Sequence, residues 1–434
     1  MNLLREKIER EIRDRGPIPF SRYMEICLYD PELGYYSRNA QQFGKAGDFY
    51  TSSDVHAVFG RLLVRQFDEM WRALGSPERI ELVELGPGRG LFAQDVLGWS
   101  EKKFPDFFRA LRYILVESSS ALRERIKSTL GHYLESGKAE LAAPDPQETG
   151  ERNWLAPPPP GIGDAPAAER RKNAAHGASR GLSDRGGNQA PEGRKKTPPD
   201  ESSALDVPTI VFTNEFFDAL PVEILSPQGS LRIDAHDGRF LETWTHPSPE
   251  ELEFLDRYSI HPGPDERVEA PLAAQQFMNR LASGIHRGFF VAIDYGYTRE
   301  EQLAGRHRGT LKALRQHSIS ASPYEAPGEQ DITADVNFTA LAAASEKHGM
   351  QTHKLVTQSQ FLLGIGEANQ FADAFEECRL PQERAKVALQ LKHLVTPAGM
   401  GETFQVLLAS KGVEKEKAAA LSGLNFGHKP ALSP

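Results

Sequence analysis

A chain of 434 residues is long for one domain and leaves open one elaborated domain or two closely packed ones; 39% hydrophobic and 26% charged residues suit a globular protein with a substantial core. The net charge of −9 gives no support for nucleic acid as a general partner, and the two cysteines, Cys27 and Cys378, are too far apart for a CxxC pair, which argues against a disulfide framework or a cysteine-rich zinc site and fits a reducing compartment. The 13 histidines form no HExxH helix and no apolar run approaches the ~18 residues needed to span a bilayer, so neither a metal nor a membrane is expected.

In chain order, MNLLREKIEREIRDRG comes first, with charges of both signs and no apolar h-region, so it reads neither as a secretory signal nor, given its acids, as a mitochondrial transit peptide. Leu4, Ile8 and Ile12 recur every four residues and predict one face of an ordinary helix. A cytoplasmic protein is the expectation. Four short apolar runs then give the skeleton: IELVEL (80–85), YILVE (113–117), TIVFTN (209–214) and FFVAID (289–294). Near-continuous apolarity predicts strands buried on both faces, as in a parallel sheet covered by helices. The helix-length stretches between them, LFAQDVLGWSEKKF, SALRERIKSTL and PLAAQQFMNRLASGI, make the strand–helix alternation of a doubly wound α/β domain. Residues 143–204 break the pattern. Rich in Pro, Gly, Ala and Arg, they are expected to form a disordered insertion, since such composition cannot bury enough surface to offset its ordering entropy. Between Leu155 and Asp200 arginines and lysines outnumber acids, so a tether for an acidic partner and a neutral loop expansion both stay open. Residues 222–245 predict a hairpin or meander turning at HDG, 335–348 a helix, and GETFQVLLAS (401–410) a late strand.

The loop VELGPGRG (83–90) follows the first strand, but its glycines, Gly86, Gly88 and Gly90, are spaced G-x-G-x-G, and Leu91 stands where a dinucleotide fingerprint needs glycine. The Walker lysine is missing too. Glu84, two residues before the first glycine, would repel a pyrophosphate. It suits a ligand without phosphate and with a cationic end, such as S-adenosyl-L-methionine, with the glycines letting backbone pass close to it. Glu117 ends the second strand, where a carboxylate can accept both ribose hydroxyls. This E-x-G-x-G-x-G pattern with a second-strand acid resembles the class I S-adenosylmethionine-dependent methyltransferases.

Five further stretches narrow the resemblance: FSRYMEICLYDPELGYYS (20–37), GDFYTSSDVHAVFG (47–60), TNEFFDALPVE (213–223), DITADVNFTAL (331–341) and MGETFQVLL (400–408). Together they resemble the MidA-like methyltransferase family, which includes the mitochondrial complex I assembly methyltransferase, over about residues 5–142 and 205–410. Two motifs depart from the family: its T-S-P-E-I-S reads Thr51-Ser52-Ser53-Asp54-Val55-His56, and its D-V-D-F reads Asp335-Val336-Asn337-Phe338. The first keeps an acid, while the second loses one, so Asn337 is not taken as catalytic. The resemblance implies a class I, Rossmann-like, mostly parallel α/β sheet with helices on both faces and inserted α+β elements. It also implies methyl transfer to an arginine side chain of a partner protein. For mitochondrial members that partner is a respiratory complex I subunit; the lack of a transit signal places this chain nearer to bacterial relatives.

An arginine acceptor stays protonated at physiological pH, so the site must hold the guanidinium fork with carboxylates and accept a proton as it leaves. Asn214, Glu215 and Asp218 follow TIVFTN at a strand's carboxyl end, where ligands bind in open α/β sheets. Phe216 and Phe217 would wall the acceptor or pack the core. Asp294 and Tyr295 lie at the equivalent end of FFVAIDYG and are expected to line the same cleft, unless Asp294 merely forms a turn. His317 is a proton relay or a structural histidine, and Asp331 a substrate contact or an N-cap. Asp48, in GDFYTSS, belongs to a segment expected to fold over the cofactor. The organisation expected is an N-terminal helical cap (1–75), a first part of the methyltransferase core (76–142), the insertion (143–204), the rest of the core with hairpin and helical elements (205–410), and a tail (411–434). A methyltransferase for a small molecule and a non-catalytic assembly factor remain alternatives, and a nicotinamide oxidoreductase is weakened by the glycine register. The oligomeric state is not readable.

Overall fold

The computed structural model describes residues 2–38, 57–142, 207–315, 318–320 and 322–427. The insertion at 143–204, the Asp48 segment and His317 lie outside the described residues, so the expectations placed on them are not addressed.

The four apolar runs become neighbouring strands of one sheet. Its order, from one edge, is Ala139–Leu141, Leu111–Val116, Ile80–Leu85, Thr209–Asn214, Gly288–Tyr297 and Phe404–Lys411, with the short Gln351–Thr352 and Val356–Thr357 pairing on the last. The first five run parallel, whereas Phe404–Lys411 enters antiparallel beside Gly288–Tyr297. The chain builds outward from Ile80–Leu85 in one direction, then returns to its other side with Thr209–Asn214. That reversal is a topological switch point, where the loops leaving adjacent strands diverge and open a crevice.

Both faces of the sheet are covered, which is why its strands read as unbroken apolar runs. Ile80, Leu82, Tyr113, Leu115 and Phe212 face one core, packed by Phe59, Phe67, Phe92 and Ile126 from the helices Ala57–Ala73, Leu91–Lys103 and Ser120–Glu135. Val83, Leu85, Val211 and Phe290 face the other, packed by helices Leu272–Gly284 and Phe338–Glu346. Each fully buried side chain of this size contributes about 1.5–3 kcal/mol of transfer free energy. The helix expected over 335–348 starts later, at Phe338, because Asn337 caps it: its Oδ1 accepts from the Ala340 N–H at 3.0 Å. Asp331 is therefore not an N-cap; it opens the strand Asp331–Thr333.

A second lobe stands over the carboxyl end of the sheet. Residues 222–245 form the expected meander, as strands Glu223–Ser226, Gly229–His236 and Arg239–Thr245. Its HDG turn has positive φ at Asp237 and Gly238, as a two-residue hairpin of this twist requires. Helix Leu3–Arg15 buries Leu4, Ile8 and Ile12 against this sheet, and helix Phe20–Tyr29 joins the same core with Leu231, Ile233, Ala313 and Ile332. Helix Ala57–Ala73, grouped with the N-terminal cap, packs instead in the core of the main sheet. The tail from 411 docks on that helix: the N–H groups of Ser422 and Gly423 donate to Glu69 and Gln66, each at 2.9 Å.

Candidate active site

The crevice at the switch point gathers what the sequence scattered. Gly86, Gly88 and Gly90 all adopt positive φ (67°, 54° and 75°), a region costly for side-chain-bearing residues. Their surroundings differ. A Cβ on Gly86 would press on the Phe216 ring at 3.0 Å, and one on Gly90 would touch Ile126 at 3.4 Å, so these two glycines serve close packing. At Gly88 a Cβ would meet nothing within 4 Å among the described residues, so of the three it is the one with room beside its backbone there.

Glu84 sits at the end of Ile80–Leu85 and is 5% exposed; its Oε2 accepts from the Tyr113 hydroxyl at 2.8 Å. Burial lifts its carboxyl to about 8, and nearby Glu117 adds to the rise while the Tyr113 bond opposes it. Glu117 lies one residue past Leu111–Val116, 8% exposed, and its Oε1 accepts the Ser119 N–H at 2.8 Å. Burial raises it to about 7 against that bond and the Ser118 and Gly88 backbone donors. Two buried carboxyl groups beside a phosphate-free loop thus pay desolvation that a cationic, hydroxyl-bearing ligand would relieve. Asn214 Oδ1 and Thr213 Oγ1, at the adjoining strand end, are buried and have no hydrogen-bond partner among the described residues, a need that a polar ligand would meet.

Across the switch point, Glu215 adopts a left-handed φ of 52°. This bend is pinned by Asp294, fully buried: its Oδ2 accepts from the Phe216 and Phe217 N–H groups at 3.1 and 2.9 Å, and its Oδ1 from Tyr295 N–H at 2.9 Å. Both Asp294 oxygens accept from backbone N–H groups, so it shapes the loop that carries Glu215. Asn214 Nδ2 donates to Glu215 Oε1 at 3.0 Å. Phe217 is core, packed against Phe277 and Phe290, whereas Phe216 lies over Gly86.

Asp218 opens onto a cleft of about 140 Å³ lined by Tyr295, Lys312, Leu314, Thr333 and Asp335. It is 4% exposed, and burial, then the charges of Asp294 and Asp331, hold its carboxyl well above the usual range. Asp331, 3% exposed, accepts from the Tyr36 hydroxyl at 2.9 Å. The Tyr29 hydroxyl donates to the Ala219 carbonyl at 2.9 Å, and the Ser119 hydroxyl to the Tyr36 carbonyl at 2.8 Å. The second lobe therefore joins both halves of the crevice. Tyr113, Ser119, Tyr29, Tyr36, Lys312 and Asp335 were not singled out from sequence as site residues. Tyr29 and Tyr36 lie within the quoted N-terminal stretch; Tyr113 would emerge only once the pairing of Leu115 with Glu84 is known, because Tyr113 shares the Leu115 face.

Residues 62–356, more than half of the chain, match the family described as "Putative S-adenosyl-L-methionine-dependent methyltransferase". Among curated relatives, the chain is 28% identical over 422 residues to the mitochondrial protein arginine methyltransferase NDUFAF7 homolog of Drosophila melanogaster, covering 94% of this chain and 85% of the relative. It is 25% identical over 406 residues to mitochondrial NDUFAF7 of Homo sapiens, covering 91% and 80%. A COG1565 superfamily member from Burkholderia thailandensis, solved with S-adenosyl-homocysteine, superposes with a TM-score of 0.71 at 25% identity, covering 96% of this chain and 94% of that one. These relatives overturn the expected cytoplasmic placement, since the curated ones are mitochondrial. The mixed charge of the first helix, read against a transit signal, goes with its packing: Leu4, Ile8 and Ile12 face a core, while Arg5 and Glu11 bond to neighbouring elements of the lobe.

Proposed function

From the premise that the chain belongs to the S-adenosyl-L-methionine-dependent methyltransferase family, we propose that it methylates an arginine side chain of a partner protein. The protein is a methyltransferase and its cofactor is S-adenosyl-L-methionine, which supplies an electrophilic methyl group when bound. The residues present fit that group. Glu84 and Glu117 would take its cationic and hydroxyl-bearing parts, and Gly88 leaves room for it beside the backbone, with Gly86 and Gly90 shaping the turn.

The observation that carries the arginine reading is the cluster of buried acids on the other side of the switch point. Asp218 is pushed towards its neutral form by burial first and by the charges of Asp294 and Asp331, a state that a guanidinium would relieve. Glu215 and Asp218 would hold the fork and orient one nitrogen, and Tyr295 would offer a ring face. As the nitrogen bonds to the methyl carbon and the carbon–sulfur bond breaks, the nitrogen's proton passes to a carboxylate, with Asp218 the residue we assign to it. The domain organisation we propose follows: the main sheet binds cofactor, and the lobe built from the N-terminal helices and the meander closes the acceptor side.

The test is transfer of labelled methyl from S-adenosyl-L-methionine to a mitochondrial protein extract, with amino-acid analysis of the product. Methylarginine is expected, lost by at least a hundredfold in Asp218→Asn and Glu215→Gln while both still bind S-adenosyl-homocysteine. Label on another residue type, or full activity in both variants, would sink the arginine assignment.

A further inference from the structure

One residue of the acceptor cleft carries the wrong sign for a cationic guest. The strand Lys312–Arg315 pairs antiparallel with Asp331–Thr333, Lys312 opposite Thr333 and Leu314 opposite Asp331. Side chains alternate across a strand, so Ala313, 5% exposed, turns into the core of the second lobe, and Lys312 and Leu314 line the cleft. The Lys312 ammonium lies 3.1 Å from Asp335 Oδ1 and 5.9 Å from the centre of the Tyr295 ring. The other oxygen of Asp335 faces His307 Nδ1 at 3.1 Å. An acid, a ring face and a cation therefore already occupy one corner of the space that opens on Asp218.

We infer that Lys312 is a specificity-determining residue: its ammonium holds the place that an acceptor's cationic side chain must take, and entry requires Lys312 to leave Asp335 and Tyr295. The inference rests on the arginine reading above. The displacement is cheap on the lysine's side, because its side chain is 48% exposed and such pairs are weak and flexible. A guanidinium gains more from the same corner than an ammonium does, since its planar fork stacks on a ring and bonds a carboxylate at two points. A neutral side chain gains little from Asp335 and leaves Lys312 seated. Lys312 thus rejects neutral acceptors by occupying the corner, in addition to what the acids attract.

Calorimetry of N-acetylarginine methylamide binding to the full chain saturated with S-adenosyl-homocysteine tests this, in wild type, Lys312→Met and Lys312→Gln, with the neutral citrulline analogue as control. Loss of the resident cation is expected to tighten the arginine probe roughly three- to tenfold, the scale of an exposed ion pair. The preference for arginine over citrulline is expected to narrow as the citrulline analogue gains access. Arginine binding that is unchanged or weaker in both variants overturns the Lys312 inference alone. If no form binds the arginine probe while all bind S-adenosyl-homocysteine, the arginine reading fails and the inference goes with it.

Discussion

Glu84 stands out because a carboxylate at a glycine loop rejects phosphate, Glu117 because a strand-end acid can accept ribose hydroxyls, and burial pushes both carboxyls above their ordinary range. Each folded-state carboxyl lies above its ordinary value near 4.5, at about 8 and about 7. The folded state therefore holds protons that the unfolded chain releases above pH ~4.5, and stability is present in full at lower pH and lost as pH rises through 7 and then 8. A cationic cofactor favours the ionised forms, so binding should release protons in that window. Thermal melting without cofactor is expected to fall by a few degrees from pH 5.5 to 8, with the shift produced by S-adenosyl-L-methionine growing over the same range. Glu84→Gln should flatten the first trend and weaken binding; equal slopes in wild type and variant would show that this carboxyl is not what titrates. Tyr113→Phe removes the bond that favours the Glu84 carboxylate, so it should push the cofactor's pH dependence upward.

The bend at 214–218 is an element made by its neighbours. Nothing local in NEFFD demands a left-handed Glu215; Asp294 imposes it, 77 and 78 residues further along the chain, by accepting from Phe217 and Phe216. Removing the acceptors in Asp294→Ala would leave backbone N–H groups buried without partners, at a cost of about 2–4 kcal/mol and with the acceptor side misaligned. Urea denaturation should show that loss, and methyl transfer should fall while S-adenosyl-homocysteine affinity changes little. Glu215→Gly makes the converse case. It relieves a positive φ, so stability should hold or rise by up to about 1 kcal/mol as transfer collapses. Destabilisation by Glu215→Gly would mean that its side chain, rather than its backbone, is the structural asset. The strand ends on either side were legible, because a strand buried on both faces writes an apolar run and stops at its polar loop. The role of Asp294 is open in sequence between lining the cleft and forming a turn, and the cap at Asn337 appears only once the helix start is known.

At the scale of the whole chain, strand–helix alternation predicts the doubly wound sheet, but neither its strand order nor the way the N-terminal helices and the meander meet over it. Tyr36 meets Ser119 and Asp331, 83 and 295 residues away, and no spacing in the sequence announces either meeting. Net charge, in contrast, needs no fold to be read, and acquires a meaning once the acidic cleft is known. A molecule of charge −9 carries a net negative potential that would draw a cationic acceptor side chain, and the proposed acceptor cleft, lined by Asp218 and Asp335, lies within it. Such a field acts on encounter rather than on the bound complex, because long-range attraction is screened as the Debye length shrinks below the approach distance, while buried contacts are not. For an arginine-bearing acceptor peptide, kcat/KM is then expected to drop roughly three- to tenfold between about 20 and 300 mM salt, with kcat within about twofold. A flat salt profile would mean that the acids serve only at contact, and a kcat that falls in parallel would place the screened charges in the reaction itself.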